Sequence, residues 1–296
     1  MASSKDSTSQ RLIHIIGVDF RPAYTFPTNG FFKGANAAQT PVRKTFSGHV
    51  KYGFKFAPDT YWGRMYPYAI QGLGVGYNTF FNSSEIGNPL AVYAFQTYRI
   101  ASITRRLSFD YEWNFGASFG WKKYDKETNP MNNVVGSKIN AYINFGLLLN
   151  WQIDACTNLR AGVGVTHYSN GNTGYPNSGV NTIGGSIGLI RYFGSKEKLE
   201  LYDRRYATYR NRDAFKPYIS YDLIVYGALK KKGVFPPESS PVLVPGSFAV
   251  GGLNFTPMYN FSNYFRAGLS LDAQYDESAN INEHIANTCL LYTSDA

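Results

Sequence analysis

Hydrophobic and polar residues alternate with a period of two along most of the chain. In the segment 107–121, the odd positions are apolar or aromatic, whereas the even positions are small or polar. The same alternation recurs in 141–151, 159–169 and 265–275. Because successive side chains of a β-strand point to opposite faces of the sheet, each segment predicts a strand with one apolar and one polar face.

The apolar rows have the length and composition of strands that cross a bilayer. The rows of 107–121, 141–151 and 265–275 end in aromatic side chains. This is typical of outer-membrane barrels, whose strands of about ten residues end in aromatic girdles. No stretch approaches the roughly 20 apolar residues of a membrane helix. The mean hydropathy of −0.29 also suits a barrel in which every second residue faces the lumen. The pattern therefore predicts an all-β fold, an antiparallel transmembrane outer-membrane β-barrel.

The number of predicted strands leaves two architectures open. The predicted strands cover 11–25, 46–58, 67–82, 88–103, 106–122, 137–153, 158–170, 180–193, 215–230, 247–261 and 264–277. Because bacterial single-chain barrels have even strand numbers, the first interpretation is a barrel of about 11 strands from which a twelfth is missing. The alternative is an eight-stranded barrel that ends near Phe193 and is followed by an extra β module. Connections after even-numbered strands are mostly short, so odd-numbered strands are expected to run outward.

The two ends of the chain differ from the predicted barrel region, 11–287. Residues 1–10 lack the apolar core of a secretory signal and are predicted to be a disordered N-terminal segment. Residues 288–296, which include Cys289, resemble the translation of a sequencing adapter. We expect this tail to be an artefact rather than part of the fold.

The barrel region divides further into three parts. Residues 11–193 hold the first eight predicted strands, and 215–287 hold the additional strands. Between them, 194–214 contains apolar and aromatic residues at helical spacing, which are Leu199, Tyr202, Tyr206 and Tyr209. This spacing predicts an amphipathic connection on the periplasmic side.

The net charge and the cysteines exclude other classes of protein. The formal net charge is +9, but the basic residues are scattered over turns and loops rather than clustered with aromatic residues that could stack on bases. We therefore expect no nucleic acid and attribute the charge to attraction by anionic lipid headgroups. Two cysteines, Cys156 and Cys289, give neither metal-ligand spacing nor a disulfide framework. No cofactor and no metal are expected.

One strand ends in chemically active residues on its apolar face. The apolar row of 159–169 ends in His167 and Ser169. Residues two apart on a strand project from the same face, so an imidazole base and a hydroxyl nucleophile are expected to lie close together. Asn181 is predicted to reach the same face across the hairpin, which gives the nucleophile, base and orienting group of a serine hydrolase. The alternative is that these side chains are merely polar residues of the membrane interface.

The segment 167–181 resembles the signature of the outer-membrane lipid A 3-O-deacylases, the acyloxyacyl hydrolase-like family. It contains a His-x-Ser-Asn unit, a turn rich in glycine, proline and asparagine, and the residue that opens the next strand. The resemblance implies that Ser169 is the nucleophile, that His167 is the general base and that Asn170 helps to form the oxyanion site. It also implies that residues 11–193 form the barrel of this family, with the site on its lipid-exposed wall. By parity, the side chain of Asn170 points inward, so its backbone N–H is an alternative donor.

The chain departs from the family pattern at Asn181, where the family has a carboxylate. An amide can accept from the Nδ1–H of histidine and fix its tautomer, but it cannot balance the charge of an imidazolium. Either members of the family that resemble this chain hydrolyse their substrate with asparagine as the orienting group, or this barrel is a slow or inactive enzyme.

The resemblance predicts an outer-membrane serine esterase of a Gram-negative bacterium. Its substrate would be an ester-linked acyl chain of lipid A in lipopolysaccharide, and its partners would be outer-membrane lipids. A homodimer is considered as an assembly. The competing class is a non-catalytic outer-membrane barrel, either a channel or a structural or adhesive protein, with a degenerate site.

Overall fold

The computed structural model describes four segments of the chain, 12–209, 216–234, 242–262 and 265–279. The described residues form two compact units. The first unit comprises 12–170 and 177–209, and the second comprises 171–176 and the described residues from 216 onward. The predictions for 1–10 and 288–296 lie outside the described residues.

Eight strands of the first unit close into an antiparallel barrel. In chain order they are β1 (Leu12–Thr25), β2 (Lys44–Phe56), β3 (Ile70–Thr79), β4 (Gly87–Ser102), β5 (Leu107–Trp121), β6 (Ile139–Asp154), β7 (Thr157–Ser169) and β8 (Val180–Tyr192). Each strand pairs with the next, and β8 closes the ring by pairing with β1, where Leu189 lies opposite Val18. The predicted class, an all-β antiparallel barrel, is confirmed.

The first interpretation of the strand number is wrong, and the eight-stranded alternative is confirmed. Because β8 pairs with β1, the barrel has no edge to which a ninth strand could be added. The described strands of the second unit are β9 (Tyr218–Lys230), β10 (Gly233–Val234), β11 (Val242–Leu243), β12 (Phe248–Asn260), β13 (Arg266–Gly268) and β14 (Leu271–Asp276). In this unit β12 pairs with β9, β13 and β14, and β10 pairs with β11. The strand predicted at 264–277 is thus two short strands.

The alternation separates an exposed apolar wall from a buried polar lumen. On β7, the side chains of Val163 and Val165 are 61% and 47% exposed, whereas Asn158 and Arg160 are buried. A water-soluble barrel would bury the apolar row instead. This inverted arrangement is typical of barrels whose wall faces lipid.

Charged side chains fill the middle of the lumen, and we call Asp19, Arg21, Lys51, Glu112 and Arg160 the lumen cluster. The carboxylate of Glu112 accepts from Lys51 Nζ at 2.5 Å, Arg160 Nη1 at 3.0 Å and Arg21 Nη2 at 3.2 Å. The carboxylate of Asp19 lies 2.7 Å from both Lys51 Nζ and Arg21 Nε. Two voids beside the cluster have volumes of about 30 and 20 Å³. Opposite charges therefore pack the lumen rather than line an open pore.

Two α-helices follow the even-numbered strands β2 and β8 and contact each other at one end of the barrel. These are α1 (Tyr61–Met65) and α2 (Lys196–Tyr209), and α2 lies within the predicted connection 194–214. Leu199 of α2 is buried with Ile13, Ala57 and Cys156. The side chains of Tyr202, Tyr206 and Tyr209 lie outside the described part of the structure, and the periplasmic position of α2 stays a prediction. None of the helices in the described segments is long and apolar enough to cross a membrane.

Candidate active site

The predicted site residues lie at the end of the β7–β8 hairpin. His167 of β7 is directly opposite Asn181 of β8, and Ser169 is the last residue of β7. Both β7 residues belong to the same row as the exposed Val165, and both are partly exposed. The hairpin register therefore brings the imidazole, the hydroxyl and the amide to one end of the outer wall, as the period of two predicts.

The amide of Asn181 fixes the tautomer of His167. Nδ1 of His167 lies 2.7 Å from Oδ1 of Asn181. Because an amide oxygen can only accept, this contact places a proton on Nδ1, and in the neutral imidazole the lone pair then lies on Nε2. The structure thus gives His167 the tautomer that a general base requires, although a neutral amide stands where the family pattern has a carboxylate.

A glycine allows the hairpin to pass close to this imidazole. Gly179 has a φ of +67° and precedes β8. A Cβ built on Gly179 would lie 3.3 Å from Cε1 of His167 and 3.2 Å from the carbonyl oxygen of Tyr168. Since the left-handed conformation favours glycine, this position combines a backbone requirement with a spatial one.

Asn177 is a site residue that the sequence did not single out. Its Nδ2 donates to Oγ of Ser169 at 3.0 Å, and its Oδ1 accepts from the backbone N–H of Asn170 at 3.2 Å. One amide therefore holds both the hydroxyl and the end of β7. Asparagine is common in tight turns for reasons unrelated to catalysis, so its position in an asparagine-rich turn carried no distinguishing signal.

The side chain of Asn170 is buried, in agreement with its inward parity. Asn170 follows the last residue of β7 and contributes its backbone N–H to the contact with Asn177. The role of Asn170 in an oxyanion site stays a prediction.

An apolar groove of about 450 Å³ lies on the outer wall beside His167. It is lined by Phe26, Thr28, Ile143, Phe145, Val165, Thr166, His167, Asn181 and Thr182. The backbone N–H of Phe26 donates to the carbonyl of Asn181 at 2.9 Å, which ties the segment after β1 to the start of β8. A long aliphatic group could lie along this groove and present a polar end to the imidazole.

The fold and this cluster define a class of protein, namely an outer-membrane-type β-barrel with a histidine, a serine and an asparagine side by side at one end of its outer face. A family model described as lipid A 3-O-deacylase (PagL) matches residues 21–189. A second model, described as acyloxyacyl hydrolase, C-terminal domain, matches residues 219–295. Because the first match covers more than half of the chain, the chain belongs to the lipid A 3-O-deacylase (PagL) family, and the resemblance seen in the sequence is confirmed.

Solved structures of outer-membrane proteins also match the chain. Neisserial surface protein A matches with a TM-score of 0.41 and 9% identity, over 61% of this chain and 97% of that one. The outer membrane enzyme PagL matches with a TM-score of 0.41 and 14% identity, over 58% and 97%. The N-terminal barrel domain of Pseudomonas aeruginosa OprF matches with a TM-score of 0.35 and 10% identity, over 61% and 97%. No curated protein matches the chain.

Family membership supports outer-membrane lipid A deacylation as the activity to which this chain is related. It also implies the outer membrane of a Gram-negative bacterium as the location.

Proposed function

We propose that this barrel is a serine esterase that removes an ester-linked acyl chain from lipid A on its lipid-facing wall. The observation that carries the proposal is the 2.7 Å contact between His167 Nδ1 and Asn181 Oδ1. It leaves Nε2 as a base on the same face as Ser169, beside a groove with the dimensions and polarity of an acyl-binding surface.

The reaction follows the order of covalent ester hydrolysis. Nε2 of His167 takes the proton of Ser169 as Oγ attacks the ester carbonyl carbon. The imidazolium then gives this proton to the departing alkoxide of lipid A, and an acyl-enzyme remains on Ser169. Water, deprotonated by His167, then attacks the acyl carbon and forms a tetrahedral intermediate. When this intermediate collapses, the fatty acid is released and the imidazolium returns the proton to Oγ of Ser169.

Asn177 is the best-placed group to support the negative charge that forms on the carbonyl oxygen. Its Nδ2 donates to Oγ of Ser169 at 3.0 Å, so a carbon bound to Oγ would bring its oxygen within reach of the same N–H₂. The backbone N–H of Asn170 is the second donor and becomes available when the substrate oxygen takes the place of Asn177 Oδ1. In this assignment Asn177 first positions the nucleophile and then helps to stabilise the intermediate.

The position of the site suits a substrate that is itself a membrane lipid. Lipid A could reach an outward-facing groove by lateral diffusion within its own leaflet. If odd-numbered strands run outward, the end of β7 lies near the outer rim, where lipid A resides. The lumen cluster argues against the competing class of channel, because Lys51, Glu112 and Arg160 are buried and paired with one another in the middle of the lumen. A homodimer stays a prediction.

The proposal is tested by mass spectrometry of lipid A from Gram-negative cells that carry either the wild-type gene or an empty vector. The expected result is loss of the mass of one acyl chain, with the matching fatty acid released when the purified barrel is mixed with lipid A in detergent micelles. Unchanged lipid A in cells whose outer membrane contains the folded barrel would contradict the proposal. Heat-modifiable mobility on gels reports the folded state.

Changing Asn181→Asp is expected to raise kcat about 10-fold. A hydrogen bond to a carboxylate is stronger than one to an amide by about 1.4 kcal/mol, and the gain appears as the imidazolium forms. Asn181→Leu is the opposing variant, since it removes the acceptor and is expected to lower kcat. Steady-state hydrolysis of a soluble ester measures both. Equal rates for all three proteins would exclude Asn181 as the orienting group.

A further inference from the structure

A second cavity lies at the end of the barrel opposite to the His167 cluster. Its volume is about 630 Å³, and the connections that follow β2, β4, β6 and β8 contribute to its walls. Asn158 lines this cavity at the start of β7, whereas His167 lies nine residues further along the same strand. At about 3.3 Å per residue, the two sites are roughly 30 Å apart. The cavity is therefore separate from the proposed esterase site.

The walls of this cavity carry a strong excess of positive charge. Among the described residues that line it are five cationic side chains and one carboxylate, namely Lys55, Arg99, Arg105, Arg106, Arg204 and Asp203. The carboxylate of Asp203 lies 3.7 Å from Lys55 Nζ and 3.2 Å from Gln152 Nε2. A second carboxylate, Asp110, lies 4.0 Å from Arg99 Nε. So many cations around one space repel one another, and an anion within that space would lower their energy.

Two of the cations are held in place by aromatic rings. The guanidinium of Arg99 lies 4.1 Å from the ring centroid of Tyr68, and Nζ of Lys55 lies 5.3 Å from that of Tyr192. Nε of Arg99 is buried, and within the described residues it makes no hydrogen bond. A planar guanidinium that is already oriented loses little entropy when it binds a phosphate through two parallel hydrogen bonds.

The rim of the cavity is accessible. Arg105 and Arg106 form the turn between β4 and β5 and are exposed. Ile103, which precedes this turn, also lines the cavity and is 55% exposed. The site thus combines an oriented inner cation with exposed outer cations and an apolar neighbour.

We propose that this cavity binds a phosphate-bearing anion, with Arg99 as the inner contact and Arg105 and Arg106 at the rim. The same chemistry is offered by a small soluble phosphate ester and by the headgroup of an anionic phospholipid. The proposal does not depend on the esterase activity, since the residues involved are remote from Ser169.

Binding is tested with the purified full chain, folded in neutral detergent micelles. Isothermal titration calorimetry uses two probes, glycerol 3-phosphate in solution and phosphatidylglycerol in mixed micelles, with glycerol and phosphatidylcholine as the corresponding uncharged and zwitterionic controls. We expect saturable, salt-sensitive binding of at least one anionic probe. Binding of glycerol 3-phosphate indicates a soluble ligand, whereas binding of phosphatidylglycerol alone indicates a lipid headgroup. Binding of neither probe overturns the proposal.

Substitutions at the same end of the barrel locate the binding. Arg99→Gln and Arg106→Gln are each expected to weaken the affinity about 10-fold, because each removes a charged hydrogen-bond donor. Arg64→Gln on α1 is the matched control, since Arg64 contacts the carbonyl of Asp59 and is not among the lining residues. If Arg99→Gln fails to fold, Arg106→Gln on the exposed turn decides the question. Wild-type affinity in Arg106→Gln, or equal weakening in Arg64→Gln, overturns the proposal.

Discussion

Ser169→Ala and His167→Gln are each expected to lower kcat by about 10⁴-fold or more, and the double variant is expected to be no slower than either one. The nucleophile and its base act as a unit, because a hydroxyl without a base is a poor nucleophile and a base without the hydroxyl has no proton to take. Once either group is lost, the covalent route is closed, and the second substitution removes nothing further. If the two groups contributed independently, the loss of kcat in the double variant would be the product of the two single losses.

Initial rates of fatty acid release from lipid A in micelles measure this cycle, with folding checked by heat-modifiable mobility. Ser178→Ala is the matched control, since this hydroxyl belongs to the same hairpin but donates to the carbonyl of Asn133 at 3.1 Å. It is expected to retain wild-type activity within a few-fold. Should both groups be only polar residues of the membrane interface, all three single variants would hydrolyse lipid A at the rate of the wild type, and the proposed mechanism would be wrong.

The positions of the barrel strands could be predicted closely from the sequence. The strand predicted at 106–122 is Leu107–Trp121, and the one predicted at 180–193 is Val180–Tyr192. The reason is that successive residues of a strand face lipid and the polar lumen in turn. The alternation of apolar and polar residues therefore shows where each strand begins and ends and which residues face the lumen. Glu112, which belongs to the polar row of 107–121, is accordingly buried in the lumen.

The closure of the barrel could not be predicted, because it depends on a pairing between distant strands. Strand β9 alternates like β8, and the local sequence pattern does not show whether β8 pairs with β9 or with β1. One signal exists in retrospect: a Cβ on Gly184 would lie 2.2 Å from the carbonyl oxygen of Pro22 on β1. A glycine within a strand indicates a close neighbour, but it does not identify that neighbour.

The candidate site divides in the same way. His167, Ser169 and Asn181 share a face through strand periodicity and hairpin register, both of which can be derived from the sequence. The contacts of Asn177 depend on the conformation of the turn. The groove depends on Phe26, which is remote in the sequence but donates a backbone hydrogen bond to Asn181. Such contacts arise from tertiary structure, and no periodic pattern in the sequence predicts them.

Glu112→Ala is expected to lower the free energy of unfolding by about 3–5 kcal/mol, because its carboxylate accepts from Lys51, Arg160 and Arg21 in a buried lumen. Removing it leaves three cations near one another with Asp19 as the remaining carboxylate of the lumen cluster. Glu112→Gln should cost less than Glu112→Ala, since the amide oxygen keeps one acceptor although the charge is lost.

Urea unfolding of the barrel in lipid vesicles, followed by tryptophan fluorescence, measures this loss. Glu127→Ala, which removes an exposed carboxylate from the loop between β5 and β6, is the control and should change the free energy of unfolding by less than about 0.5 kcal/mol. Equal stabilities for Glu112→Ala and Glu127→Ala would mean that water hydrates the lumen cations and that the lumen is open. That outcome would also restore the channel as a competing function, so the same measurement bears on the stability of the barrel and on its class.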